Sequence, residues 1–277
     1  MFQQIIVPLD GSEEAALAIG PAAALAQRTG VPIHLLALHR NGDDRDEFEA
    51  MVLAQLGSTG DVTRVVDVAP IKKSIAEDIR DLAARHAPAL IVMATHGRGR
   101  SAAVVGSVAN DILEHPNQPV LLVGPSSISG RFRTHGAALV SVTGEDDRDV
   151  LDTTVALLAT TDFEPVVVHV VHPDSARQLD LAHTAPGGSD FPMESAAAER
   201  CAHAIEASTD RTNVDFDVHH DKHPARTIVE QASARRAGVI VMATHARHGL
   251  DRLSHGSVTA DVVRDAPCPV LVTGLSQ

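Results

Sequence analysis

Hydrophobic residues along the chain fall into short apolar runs separated by stretches with a helical period. Phe2–Leu9 and VPIHLLALH (Val31–His39) read as strands, as do Thr63–Val68, ALIVMA (Ala89–Ala94) and Pro119–Val123. ALIVMA is apolar throughout, as expected of a strand buried on both faces of a parallel sheet. Between these runs, Ser12 and Glu13 open a helical stretch that ends at Gly30, and Pro21 inside it predicts a kink. Asp44–Leu56, Ser74–His86 and Ser107–His115 also read as helices. The second of these carries an apolar stripe at Ile75, Ile79, Leu82 and Ala83.

The same order then returns. Strands are expected at Ala138–Val142, Pro165–Val171, Val214–His219, Val239–Ala243 and Val270–Thr273. Helices are expected at Val150–Thr160, Glu194–Ser208, Pro224–Ala237 and Ser257–Asp265. Strands alternating with helices give a doubly wound, mainly parallel α/β sheet, here twice in tandem.

The repetition is also literal. VMATH begins at Val92 and again at Val241, GSV at Gly106 and Gly256, and PVLLV at Pro119 is answered by PVLVT at Pro269. IIVPLDGS (Ile5–Ser12) aligns with ALVSVTGE (Ala138–Glu145). The first loop between VMATH and GSV is one residue shorter than the second. The second unit carries extra residues, expected within His172–Ser195, a segment rich in turn formers. This divides the chain into residues 1–125, a linker at 126–136, and residues 137–277.

Composition narrows the function. The 277 residues carry a formal net charge of −13, which argues against nucleic acid or an anionic membrane surface as a general partner. No apolar run is long enough to span a bilayer and the N-terminus has no signal-peptide pattern, so a cytoplasmic protein is expected. Cys201 and Cys268 read as isolated buried thiols. The three lysines, Lys72, Lys73 and Lys222, follow no glycine-rich loop, so a Walker A site is absent.

The candidate chemistry lies where strands end. Ligands of doubly wound sheets sit beyond the carboxyl ends of the strands, and both Pro8–Ser12 and Thr95–Gly106 leave strands there. The second loop feeds a helix whose N-terminal amides favour an anion. Gly97, Gly99 and Gly106 allow close backbone approach, and Arg98 and Arg100 add positive charge.

Together, IIVPLDGSEEA, VMATHGRG…GSV and PVLLV resemble the universal stress protein family in its tandem form, over nearly the whole chain. The resemblance implies a five-stranded, Rossmann-like domain occurring twice. It also implies ATP binding through a G-x-x-G-x9-G-[ST] pattern, with Mg2+ held through the phosphates.

In the first unit that pattern falls on Ala94, Gly97, Gly106 and Ser107, with alanine for the first glycine and one residue fewer in the long spacer. By the same resemblance, Asp10, with Pro8 beside it, accepts a hydrogen bond from the exocyclic amine of adenine. Leu38 offers backbone groups to the base, Met93 packs beside it, and Val108 and Ala109 present amides to phosphate. The matching places in the second unit are Ser141, Thr143, Val170, Met242, Ala243, Ala246, Gly256, Ser257, Val258 and Thr259.

Thr143 replaces the aspartate and Ala246 the central glycine. Left-handed backbone at Ala246 would cost roughly 1–2 kcal/mol, and the lost charge-assisted hydrogen bond ~1.5–3 kcal/mol. The second site is therefore expected to be degenerate.

The family also implies pairing of Pro119–Val123 with Pro269–Thr273 across an intrachain pseudo-twofold axis, with a homodimer as a further option. The histidine groups at His219, His220 and His223, and at His245, His248 and His255, lack recognised zinc spacing, so no metal is expected. Ser107 and Ser257 lie in no G-x-S-x-G elbow. Three readings remain: an ATP-binding stress regulator, a nucleotide-free scaffold of the same fold, and an adenylating or ATP-hydrolysing enzyme.

Overall fold

The computed structural model describes residues 2–40, 44–55, 62–95, 105–114, 117–124, 127, 132–144, 147–173, 192–244 and 258–274. The first unit contains β1 (Gln4–Leu9), α1 (Glu13–Ala16), α2 (Ile19–Thr29), β2 (Ile33–His39), α3 (Arg45–Gln55), β3 (Arg64–Pro70), α4 (Ile75–Arg85), β4 (Ala89–Ala94), α5 (Ser107–Glu114) and β5 (Val120–Val123). The second contains β6 (His135–Val142), α6 (Arg148–Leu158), β7 (Asp162–Val171), α7 (Pro192–Ser208), β8 (Asp215–His220), α8 (Pro224–Ala234), β9 (Val239–Thr244), α9 (Val258–Asp265) and β10 (Val270–Gly274).

The helix expected from Ser12 to Gly30 is split, and the position of the break has a direct cause. Pro21 has no N–H, and its ring collides with the carbonyl four residues back, at Leu17. Leu17 is where α1 stops, and α2 starts two residues later. Gly30 closes α2 in the left-handed region at φ 69°, its amide donating to the Ala26 carbonyl at 2.8 Å. β6 begins at His135, three residues before the expected start and inside the segment read as linker.

All ten strands form one sheet in the order β3-β2-β1-β4-β5-β10-β9-β6-β7-β8. Within each half the neighbours are parallel. The halves meet at β5 and β10, which run antiparallel with Val270 opposite Leu122, Leu271 opposite Leu121 and Val272 opposite Val120. These six side chains are all buried and alternate between the faces: Leu121 and Leu271 join the apolar cluster on one side, and the four others join the cluster on the opposite side. Both clusters contain residues of both halves, so the core is continuous across the junction.

A second contact closes the junction from above. Gly124, one residue past β5, lies so near α9 that a Cβ there would sit 2.7 Å from the Val263 carbonyl oxygen. Arg28 at the end of α2 also crosses between halves, pairing with Asp162 at 2.8 Å.

Near the outer edge of the first half, His34 is buried on β2 with its ring edge-on to His86, the ring centroids 5.6 Å apart. Asp67 Oδ2 stands 3.8 Å from its Nε2. Burial holds the His34 imidazole below its ordinary value of 6.5; His86 and Arg85 add to this, while Asp67 opposes it. The unfolded chain therefore takes up this proton first on acidification, and the stability contributed by neutral His34 is lost as pH falls below about 6.5. Denaturant titrations from pH 7.5 to 5 are expected to show that decline, and a shallower one in His34→Leu.

Candidate functional site

The order of strands reverses direction between β1 and β4: the chain moves outward through β2 and β3, then returns to the other side of β1. At this switch point the sheet opens. The β1–β4 ladder runs from Gln4↔Ala89 to Ile6↔Ile91, and the remaining residues of both strands form no further rung with each other. Each strand continues to pair with its other neighbour, to Leu9↔Ala37 and Ala94↔Val123. The result is a crevice at the carboxyl edge, walled by the ends of β1 and β4.

Pro8 is half-buried in β1, and Asp10 follows that strand's last residue. Gly11 turns the chain at φ 78°. The Ser12 amide and hydroxyl both donate to Asp10 Oδ1, at 3.0 and 2.5 Å. The same hydroxyl oxygen caps α1 by accepting from the Ala15 amide at 3.1 Å. Asp10 is thus held in a turn at the crevice mouth.

On the opposite wall, Met93 and Ala94 are buried at the end of β4. Thr95 follows, its amide donating to the Val123 carbonyl at 3.0 Å. Its own carbonyl accepts the Gly106 amide at 2.7 Å, which fixes the start of α5 beside the end of β4. The next three amides, those of Ser107, Val108 and Ala109, have no carbonyl partner within a helix that begins there. Ser107 is exposed and Ala109 buried. Leu38, half-buried in β2 opposite Ala69 of β3, lies one residue beyond the β1–β2 ladder.

Pro8, Leu38, Met93 and Ala94 lie at the carboxyl ends of β1, β2 and β4, Asp10 follows β1, and Gly106, Ser107, Val108 and Ala109 lie at the start of α5. Gly97, with Gly99, Arg98 and Arg100, lies outside the described residues, as do Ala246, Gly256 and Ser257. The arrangement offers a hydrogen-bond acceptor at one end and an array of helix N-terminal amides at the other.

The second half repeats the opening. The β6–β9 ladder ends at Val140↔Val241, whereas β6 pairs with β7 to Val142↔His169 and β9 with β10 to Thr244↔Gly274. Met242 and Ala243 are buried in β9, and Val170 is half-buried opposite His219. Val258, the first residue of α9, is partly exposed, and the Thr259 hydroxyl donates to the Ala243 carbonyl at 3.4 Å.

Sequence reasoning missed the turn after β6. Gly144 has φ 85°, close to Gly11. Asp147 Oδ1 accepts from the Thr143 amide at 2.9 Å and hydroxyl at 3.0 Å, and its Oδ2 accepts from the Gly144 amide at 3.0 Å. The available signal was a carboxylate four residues beyond the lost aspartate.

Elsewhere, a polar cleft of about 460 Å³ between the halves is lined by Arg28, Thr160, Asp162, Asp210 and Arg211 among others. Its guanidinium groups donate to the carbonyls of Thr160, Thr161 and Phe163 and to the aspartates beside them. Both thiols are buried, and desolvation pushes each up to about 12; Asp147 adds to the rise at Cys201. Among the described residues no group of three or more His, Cys, Asp or Glu side chains could hold a metal ion, and no helix is long and apolar enough to cross a membrane.

Known proteins place this architecture. A Pseudomonas aeruginosa protein of unknown function superposes over 99% of this chain and 92% of its own, with a TM-score of 0.68 at 17% identity. A universal stress protein from Archaeoglobus fulgidus superposes over 98% of this chain and 96% of its own, with a TM-score of 0.64 at 18% identity. Both likenesses concern the fold.

In sequence, a universal stress protein of Methanocaldococcus jannaschii is 49% identical over 49 residues, covering 18% of this chain and 29% of that relative. The model of the universal stress protein family matches residues 1–124 and again 138–274. The chain belongs to the universal stress protein family and carries two tandem copies of its domain.

Proposed function

We propose that this chain is a stress-response regulator that binds ATP, or a related adenine nucleotide, in the crevice of its first half. The observation that carries this reading is the pairing of two unlike ends at one switch point. Asp10 sits at one wall, and the N-terminus of α5, tied to Thr95 through Gly106, at the other. A carboxylate suits an exocyclic amine, and helix amides suit phosphate oxygens.

The residues present fit such a ligand. Pro8, Leu38, Met93 and Ala94 supply an apolar wall for the base, and Ser107, Val108 and Ala109 supply donors for phosphate. When bound, the nucleotide supplies the triphosphate that carries Mg2+. The protein's part is to hold and orient it. The second half, with Val170, Met242, Ala243 and Val258 around its crevice, is the weaker nucleotide site, with Gly256 and Ser257 as its phosphate contacts.

The reading extends to assembly and place. Residues 1–125 and 137–277 act as two domains of an intrachain pair, supported by the antiparallel β5–β10 contact, in the cytoplasm. Nucleotide occupancy then biases the conformation or the partners of that pair.

Purified full-length protein, denatured and its supernatant identified by mass spectrometry, is expected to release adenine nucleotide. Protein stripped of ligand is expected to melt at higher temperature with Mg-ATP. No released nucleotide and no thermal shift would replace this reading with the scaffold one. Steady ATP turnover abolished by Asp10→Ala would instead support an enzyme.

A further inference from the structure

We propose that the outer edge of the first half is an acid-sensitive switch, in which strand β3 comes away from β2 as His34 takes up a proton. His34 is buried in β2, and its Nε2 is sheltered from solvent with no hydrogen-bond partner. Asp67 Oδ2, on β3, stands 3.8 Å away, beyond hydrogen-bonding reach. The groups around the ring favour its neutral form. Burial weighs most, and His86 and Arg85 at the end of α4 add to it, while Asp67 opposes them. The residues opposite His34 in the sheet, Ile6 on β1 and Val65 on β3, are apolar. A proton therefore enters most readily in a state that gives the ring water.

The cover that can give way is β3. Among the described strands it pairs with β2 alone, and of its residues only Val68 is buried. β2 stays anchored on its other side, where β1 pairs with it from Ile5↔Ile33 to Leu9↔Ala37. Lifting β3 exposes His34 while giving up little buried apolar surface, so this opening lies well below global unfolding.

The second half has the same corner with a different lock. Asp217 lies on edge strand β8 opposite Val168, as Asp67 lies on β3 opposite Leu36. Asp217 pairs with Arg235, which follows α8 as His86 follows α4. A guanidinium holds its charge across the whole range of pH in which imidazoles titrate. Val166 takes the place of His34, two residues before the residue that faces the aspartate. The titrating pair His34 and His86 thus has no counterpart there, and the switch belongs to the first half. Below 6.5, the ordinary value of an imidazole, each unit of pH multiplies the open population by at most about tenfold, until His34 titrates within the closed edge.

Hydrogen exchange of the ligand-free, full-length protein tests this, with protection factors for β3 measured from pH 7.5 to 5 and corrected for intrinsic rate. Wild-type β3 is expected to lose protection by several-fold per pH unit below about 6.5, and His34→Leu to hold it constant. Asp67→Asn removes the one opposing charge at a half-exposed position, so it is expected to carry the loss to lower pH. Thermal unfolding of each variant confirms that it folds. Wild-type protection that is flat with pH overturns the switch and leaves His34 to titrate only on global unfolding. An equal loss in His34→Leu, or a wild-type profile in Asp67→Asn, overturns it as well.

Discussion

Replacing Leu121 with alanine is expected to lower the unfolding free energy by about 2–5 kcal/mol, the range for deleting a buried leucine side chain from a packed core. Leu121 is 2% exposed and faces Leu271, 1% exposed, across the only antiparallel pairing among the described strands. The cavity would open where the two halves share one core, and little around it can collapse, because β5 is flanked by β4 and β10. The loss should appear in urea unfolding as a lower midpoint for the whole chain. Val65→Ala, at a side chain 51% exposed on the edge strand β3, is the control and should change stability by less than about 0.5 kcal/mol. A Leu121→Ala protein as stable as this control would mean that the halves do not depend on their junction.

The second large effect is on binding. Asp10→Ala is expected to weaken ATP by roughly tenfold to a hundredfold, the worth of a hydrogen bond to a charged group. The change also removes the acceptor for the Ser12 amide and hydroxyl, so some loss of helix capping accompanies it. Isothermal titration separates the effects, because a looser turn lowers the melting temperature whether or not ligand is present. Unchanged affinity would place the base away from the β1 end of the crevice.

Most of the architecture could be read from the chain, because apolar runs as short as ALIVMA, alternating with helical stretches, suit strands with both faces covered. The tandem repeat was equally legible, since VMATH, GSV and PVL recur in order. Pro21 foretold a kink, but the place of the break needed the carbonyl rule that puts it at Leu17.

Asp10 and Gly106 stand out in the sequence by residue identity alone. The turn after β6 was not legible, because it depends on a side chain reaching back along the loop. Asp147 returns to Thr143 and Gly144 only because Gly144 turns the chain with positive φ. Nothing in the spacing announces that a carboxylate four residues later folds back onto this turn. Met93 and Ala94 stand between these cases: their burial follows from the strand, and their place at the carboxyl edge from the switch point.

The approach of Gly124 to the Val263 carbonyl constrains how this chain can change over generations. Backbone meets backbone there, so no shrinking of a neighbouring side chain can make room for a residue larger than glycine. A variant at position 124 survives only if α9 shifts bodily, and α9 leads out of the second crevice. The halves can collect substitutions separately over most of their surfaces. At this point a change in one copy must be answered by a change in the other, and the duplicated domains inherit as a single unit.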